Sequence, residues 1–250
     1  MRNDDTPGLG DIAAALALLS RLPVRASHAR GAAAAWAWPV AGAVLGALAG
    51  AVGLLALAVG LPPALAAGLA LAMGPILTGG LHEDGLADTV DGLWGGWSRE
   101  RRLEIMKDSH IGSYGVIALV LSLGLRWVAL ATLFQAGHVV AVMIGAAALS
   151  RLPMVVLSHR LPAARPGGLS ARVGAPGGVT VGLAALAAVV IATPCLGLAT
   201  APALIVVAVT TLALGAIARA KIGGQTGDIL GAAQQLGEIA VLITLAAAVG

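Results

Sequence analysis

Polar and apolar positions alternate along this chain in blocks far longer than one face of a helix or strand. Seven stretches with little or no charge run over residues 36–59, 64–81, 114–134, 139–157, 179–198, 203–218 and 232–249. Each approaches the roughly 20 apolar residues that an α-helix needs to cross a hydrocarbon core about 30 Å thick. The stretches are continuous and rich in Ala, Leu and Gly, so they predict helices and not the alternating strands of a membrane barrel. The sixth is short, and the seventh carries Gln234, Gln235 and Glu238 near its start. Ahead of them Leu9, Ile12, Leu16 and Leu19 share one helical face and Pro23 follows, which predicts an amphipathic helix lying at the membrane interface. Its apolar run is too short, and lacks the cleavage pattern, for a signal peptide. The expected fold is all-α, a polytopic transmembrane helical bundle of about seven spans with an N-terminal interfacial helix, forming one domain over residues 1–250.

Composition sharpens this reading. Of 250 residues 58% are hydrophobic and 11% charged, and the mean hydropathy is +0.93. A soluble domain carries about a quarter charged residues, and a disordered chain is poor in apolar ones, so both classes are excluded. The net charge of +3 could suggest nucleic acid, but only 3% of residues are aromatic, too few to stack bases, and the basic residues are dispersed among loops. They are also sided. Arg2, Arg21, Arg25 and Arg30 precede the first stretch; Arg99, Arg101, Arg102 and Lys107 follow the second; Arg160, Arg165 and Arg172 follow the fourth; Arg219 and Lys221 follow the sixth. The connectors at 60–63, 135–138 and 199–202 carry no Lys or Arg. By the positive-inside rule the basic segments are cytoplasmic, with the N-terminus inside. The acidic residues fall on the same side or at its boundary, so one face carries the chemistry. A lone cysteine, Cys195, leaves no intrachain disulfide or Cys-Cys metal site.

The most informative segment is GGLHEDGLADTVDG at 79–92. In a helix Asp84, Asp88 and Asp91 stand at i, i+4 and i+7 and share a face, where three like charges repel unless a cation or protonation offsets them. Clustered hard oxygen ligands suit Mg²⁺ or Mn²⁺, above all where substrate phosphates complete the coordination. A solvated helix end is the ordinary explanation for such carboxylates, but ionisable groups beside lipid are costly and usually functional. Glu83 lies about 100° off the stripe. Before the third stretch, Lys107, Asp108 and His110 can face the same cavity, Asp108 as a further ligand and Lys107 against phosphate charge; Arg99, Arg101 and Arg102 read better as an interfacial basic helix. Near the C-terminus KIGGQTGDILGA at 221–232 lacks the Walker spacing. Its consecutive glycines, Gly223 and Gly224, could still present backbone amides to a phosphate. Asp228, Gln235 and Glu238 form a second polar stripe if the helix continues. Arg126 and Arg151, inside or near spans, are expected to face the bundle and find acidic or phosphate partners.

Three separated segments, 79–92, MKDSHIGSYG at 106–115 and 221–232, together with LSRLPV at 19–24 and WPVAG at 38–42, resemble the adenosylcobinamide-GDP ribazoletransferases, also called cobalamin 5'-phosphate synthases. His110 stands where that family is expected to have arginine. The resemblance implies a multi-pass enzyme of the bacterial inner membrane, with its active site cytoplasmic, that joins adenosylcobinamide-GDP to alpha-ribazole or its 5'-phosphate, releases GMP and requires Mg²⁺. It implies Asp84, Asp88, Asp91 and Asp108 as metal ligands, one of them serving as general base, and Lys107 as a phosphate contact. Substrate contacts are expected at His82, Glu83, His110, Lys221, Gly223, Gly224, Asp228 and Glu238. Membrane lipid is the other expected partner, and a homo-oligomer is left open. A CDP-alcohol phosphotransferase matches less well, because Ala87 is followed by Asp88 where that family has arginine. A permease would place its coupling charges nearer the midplane, on broken helices.

Overall fold

The computed structural model describes residues 7–249; Arg2, counted above among the basic residues, lies outside them. Twelve α-helices follow one another among the described residues: α1 (Leu9–Leu19), α2 (Trp38–Ala58), α3 (Pro63–Thr78), α4 (Leu81–Gly95), α5 (Arg99–Ile105), α6 (Ser113–Gln135), α7 (Val140–Leu149), α8 (Leu152–Arg160), α9 (Leu169–Val173), α10 (Gly178–Leu196), α11 (Thr200–Ile222) and α12 (Gly227–Val249). No strand forms among these residues; Ala163 and Gln225 make an isolated bridge. The protein is a helical membrane bundle.

Six of the seven apolar stretches lie mainly on one helix each, and the fourth, 139–157, is shared by α7 and α8. Five helical segments are long and apolar enough to cross a membrane, or six if α3 and α4, bent by 86° to each other, count as one span. One of the five, Gly178–Ile222, is 45 residues long, about 67 Å of helix and twice the hydrocarbon core. It breaks at Gly197. The start of α10 lies by the end of α8, where His159 Nδ1 meets the Pro176 carbonyl at 2.8 Å; its far end brings Leu196 beside Gly145 of α7, and α11 returns to place Gly215 against Leu157. Taking α10 and α11 as two passes, and the bent α3–α4 pair as one, gives the seven of the sequence.

Small residues decide the packing. Gly42, Gly46, Gly50 and Gly53 recur along one face of α2, and a side chain at any of them would run into α7 or Phe134. Without a hydrophobic drive between helices in lipid, such close backbone approach supplies the association. Helix α12 sits centrally, touching α4, α6, α7, α8 and α11. Helix α1 is more firmly attached than an interfacial helix need be. Asp11 is buried, and its Oδ2 accepts hydrogen bonds from the Gly8 amide (3.1 Å), Arg30 Nη1 (2.9 Å) and Trp36 Nε1 (2.7 Å). The packed face therefore runs through Asp11, Ala14, Ala15 and Leu19, while Leu9 is exposed.

The step that positions the site is the turn between α3 and α4. Gly79 and Gly80 both hold positive φ (70° and 73°), a region that glycine enters without strain. The chain thereby swings through 86° instead of prolonging α3, and α4 turns aside at the end of the bundle.

Candidate active site

Helix α4 meets the start of α12 through two glycines. A Cβ at Gly85 would stand 3.0 Å from the Asp228 carbonyl oxygen and 3.1 Å from Gly231 Cα, and one at Gly231 would stand 3.2 Å from Gly85 Cα. This contact sets Asp84 and Asp88 beside Asp228; Asp88 is within electrostatic reach of Asp84, Asp228 and Asp91. Asp84 lies in the first turn of α4 and Asp228 in the first turn of α12, so two helix N-termini lend partial positive charge to a cluster that would otherwise only repel. Asp228 is further held by Arg165 Nη2 and Thr226 Oγ1, each 3.1 Å from Oδ2. Asp84 and Asp88 have no hydrogen-bond or ion-pair partner among the described residues.

Two cavities open on this cluster. The larger, about 810 Å³, is lined by Asp84, Asp88, Arg21, Lys107, Asp108 and the 79–80 turn. Arg21 is delivered there by a hydrogen bond from its amide to the Leu77 carbonyl (2.7 Å), and its side chain crosses the space that a Cβ on Gly79 would fill. The smaller, about 190 Å³, lies across α4 and is lined by Asp84, Asp228, Arg165 and His82 together with Leu18, Trp38, Met154 and Leu230. Asp84 and Leu18 border both. Carboxylates without partners, with cations on the rim, can hold a hard metal ion together with a phosphorylated ligand and accept a proton beside it.

Several expected site residues have other work here. Asp91 is buried, and Oδ2 accepts the Gly112 amide at 2.7 Å while Oδ1 accepts the Gly115 amide at 2.9 Å. It caps the N-terminus of α6, satisfying donors that a helix leaves unpaired, so the three-aspartate stripe of α4 is divided, with Asp84 and Asp88 in the cleft and the Asp91 carboxylate bound to the start of α6. Among the described residues no three His, Cys, Asp or Glu side chains form a group that could hold a metal ion; of the four expected ligands, Asp84, Asp88 and Asp108 line the larger cavity and Asp91 does not. Asp108 lies on the rim of the larger cavity, where its Oδ1 takes His110 Nδ1 (2.7 Å) and the His110 amide (3.1 Å). Those hydrogen bonds hold its carboxyl below the usual carboxylate range. His110 is thus a partner of Asp108 on an exposed loop.

Glu83 and Glu238 face away from the cleft. Arg126 lies 3.7 Å from Glu83 and 3.5 Å from Glu238, and Arg151 3.8 Å from Glu238. Gln234 Nε2 donates to Glu238 at 2.6 Å and Gln235 Nε2 to Glu83 at 3.1 Å. The expectation that Arg126 and Arg151 find acidic partners is met, and Glu83 and Glu238 stand in the structure as their counter-ions, outside the lining of both cavities. Lys221 Nζ donates to the Leu93 carbonyl (2.7 Å) and sits 4.6 Å above the Trp94 ring. Gly223 ends α11 with φ 75°. A side chain on Gly224 would strike the Pro162 carbonyl, in the crossing where the Gln225 amide donates to Pro162 at 2.8 Å. The Lys221–Gly224 segment is therefore packed against the Pro162 loop and Trp94, and it lines neither cavity bordered by Asp84. Arg99 and Arg102, read as topology signals, donate to the carbonyls of Ile222 (2.9 Å) and Lys221 (3.1 Å) at the end of α11.

Arg165 and Arg21 were missed as site residues. Arg21 stands within the LSRLPV segment, which carried only the resemblance; Arg165 stands in a Pro-Gly loop whose closure onto Asp228 has no local signal.

The fold and cleft define a polytopic helical membrane protein with an acidic site at one end of the bundle. Residues 11–246 match the cobalamin-5-phosphate synthase family, and the chain belongs to that family. It is 46% identical over 244 residues to an adenosylcobinamide-GDP ribazoletransferase of Bradyrhizobium diazoefficiens, covering 96% of this chain and 94% of that one. Proteins of the same name from Brucella anthropi (44% over 255 residues, 95% of this chain and 96% of that one) and Brucella canis (42% over 258, again 95% and 96%) are similar over nearly their whole lengths. No solved structure matches the chain.

Proposed function

We propose that the chain is an adenosylcobinamide-GDP ribazoletransferase of the bacterial inner membrane, with N-terminus and cleft on the cytoplasmic side. It joins the phosphocobinamide part of adenosylcobinamide-GDP to alpha-ribazole or its 5'-phosphate. The observation that carries the reading is the pair Asp84 and Asp88, unpaired and facing Arg21 and Lys107 across a cavity of about 810 Å³, in a chain of this family.

The chemistry follows from charge. The acceptor alcohol oxygen forms a bond to the phosphorus that bears the cobinamide; the bond from that phosphorus to the bridging diphosphate oxygen breaks, and the electron pair leaves on GMP. The alcohol proton passes to a carboxylate of the cleft. Arg21 and Lys107 bind the diphosphate from the rim, and Arg165 with Thr226 fixes the Asp228 carboxylate. Two free aspartates do not make a protein-only metal cage, but they suit Mg²⁺, which keeps waters and takes phosphate oxygens as its remaining ligands. Held at Asp84 and Asp88, Mg²⁺ would neutralise charge on the phosphoryl group and the departing nucleotide.

The test supplies purified protein with adenosylcobinamide-GDP, alpha-ribazole and Mg²⁺. GMP release that EDTA abolishes is expected, and no GMP would remove the reading. Orientation is checked with Ser109→Cys in a Cys195→Ala background: an impermeant thiol reagent should label it in inverted vesicles and spare it in intact cells, and the reverse would overturn the assignment.

A further inference from the structure

Helix α4 lies across the bundle at the level where three spans end. Near its start Gly85 meets Asp228 and Gly231 at the beginning of α12. Further on, Asp91 takes the Gly112 and Gly115 amides at the beginning of α6, and in the last turn the Leu93 carbonyl takes Lys221 Nζ from the end of α11. Helices α6, α11 and α12 belong to segments long and apolar enough to cross a membrane. Their ends on this side therefore mark the passage from hydrocarbon to headgroups, and a helix that touches all three ends runs along that boundary instead of through it. The chain leaves α4 through Trp94-Gly95-Gly96-Trp97. Trp94 is 50% exposed and Trp97 95%, the largest exposure of any aromatic ring among the described residues, and neither indole N–H has a hydrogen-bond partner among them.

We propose that this corner is a membrane anchor: Trp97, together with Trp94, seats its ring in the headgroup layer of the leaflet on the cleft side, with the indole N–H donating to lipid phosphate or ester oxygens. Indoles collect at that boundary because the body of the ring is apolar while its N–H can stay wet. A protein partner would need a broad apolar patch, since specific interfaces bury about 1,200–2,000 Å² in all, and Gly95, Gly96 and Ser98 leave the corner too little apolar surface for one. Phospholipid fits better. The corner stands at the level of the span ends, and Lys221, 4.6 Å from the Trp94 ring, adds the positive charge that anionic headgroups attract. The consequence reaches the site, because Asp84 and Asp88 stand on α4 between the glycine turn at 79–80 and this corner. The bundle fixes one end of that helix through the turn, and lipid steadies the other, so the depth at which the two carboxylates open to water is set partly by the membrane. The anchor holds whichever reaction the cleft performs.

The experiment uses the full-length protein in vesicles of phosphatidylcholine and phosphatidylglycerol. A nitroxide is attached to Trp97→Cys in a Cys195→Ala background, and its collisions with oxygen, which partitions into lipid, are compared with its collisions with a water-soluble nickel chelate. Oxygen should collide more often, with the label roughly 5–10 Å inside the lipid surface; the same label on Ser109→Cys, in an exposed loop, should favour the chelate. The native ring is read without a label, using lipids brominated on the acyl carbons nearest the headgroup. These should quench the protein's tryptophan fluorescence, and Trp97→Ser should remove part of that quenching. Both substitutions are expected to fold, because so little of Trp97 touches the rest of the chain. A label at 97 as open to the chelate as the one at 109 places the corner in water and overturns the anchor. A label shielded from both reagents means that protein covers the ring, for instance a second copy of the chain, and overturns it as well. Bromolipid quenching that is equal in wild type and Trp97→Ser is the third result that removes the assignment.

Discussion

Helices α4 and α12 carry two acidic groups that solve the same electrostatic problem in opposite ways. On one side Glu83 and Glu238 meet Arg126 and Arg151, with Gln234 and Gln235 bridging them. On the other, Asp84 and Asp88 have no partner among the described residues, and Asp228 has one arginine. Residues 83 and 84 are adjacent, yet one faces the interior and the other the cleft, because 100° of helix rotation separates them. The interior pair counts two carboxylates against two guanidiniums and closes to neutrality, as apolar surroundings require. The cleft leaves its carboxylates uncompensated beside water, with Arg21 and Lys107 at its edge. An acidic residue in a membrane protein is therefore informative through its partners more than through its position.

The comparison breaks most sharply at Asp84 and Asp88. Asp84→Asn and Asp88→Asn should each lower turnover by roughly 10²–10⁴-fold, the range expected when a proton-handling group is lost. Melting temperature should hold or rise, because removing one of two neighbouring like charges relieves repulsion. Losing a hard oxygen ligand should also raise the Mg²⁺ concentration for half-maximal rate. GMP release titrated with Mg²⁺, beside a melting curve for each variant, checks this; near-wild-type rates at limiting Mg²⁺ would end the metal assignment.

The interior group predicts the reverse pattern. Arg126→Met strands Glu83 and weakens the hold on Glu238, and should destabilise the protein by about 3–5 kcal/mol, the usual result of removing one partner from a buried ion pair. Turnover per folded molecule should stay close to wild type. Chemical denaturation in detergent measures the first and GMP release per correctly folded protein the second; a variant of full stability and no activity would move Arg126 into the site.

Much of this was legible in the sequence, and the reasons differ by residue. The spans were, because lipid demands long apolar runs; so were the buried partners of Arg126 and Arg151, because an unpaired guanidinium there is too costly to persist. The stripe spacing of Asp84 and Asp88 marked the cleft. The position of Asp228 as their neighbour depended on the Gly85 and Gly231 contact, which joins segments some 146 residues apart in the chain and leaves no periodic trace. The fate of Asp91 was hidden for a related reason: helical spacing puts it on the same stripe, and only the tertiary approach of α6 brings the Gly112 and Gly115 amides to it. The Gly79 and Gly80 pair was read as part of a motif, while its work is the 86° turn.

Asp91 consequently separates the two groups at a smaller scale. Asp91→Ala should cost about 1–2 kcal/mol, as for other lost helix caps, with any fall in activity following the loss of fold. Its Mg²⁺ requirement should match wild type, unlike that of Asp84→Asn, and a shifted requirement at full stability would return Asp91 to the cleft.

The smallest effect is expected at Lys221, whose charge could belong to a phosphate site or to the scaffold. Its ammonium is already engaged by the Leu93 carbonyl and the Trp94 face, and it lines neither cavity bordered by Asp84. Lys221→Met keeps the long stem and removes the charge. The cation-π contact at such a partly exposed site is worth about 0.5–1 kcal/mol, so melting should fall by that order while both KM values stay where they are. A phosphate contact makes the opposite demand, since removing it would raise the donor KM and leave stability unchanged. Measuring donor KM at two ionic strengths adds leverage, because a lysine that binds phosphate makes affinity depend on salt and one occupied by a carbonyl does not. An unchanged salt dependence in Lys221→Met keeps the cations of the cleft at Arg21 and Lys107, on the side of α4 where Asp84 and Asp88 stand without partners.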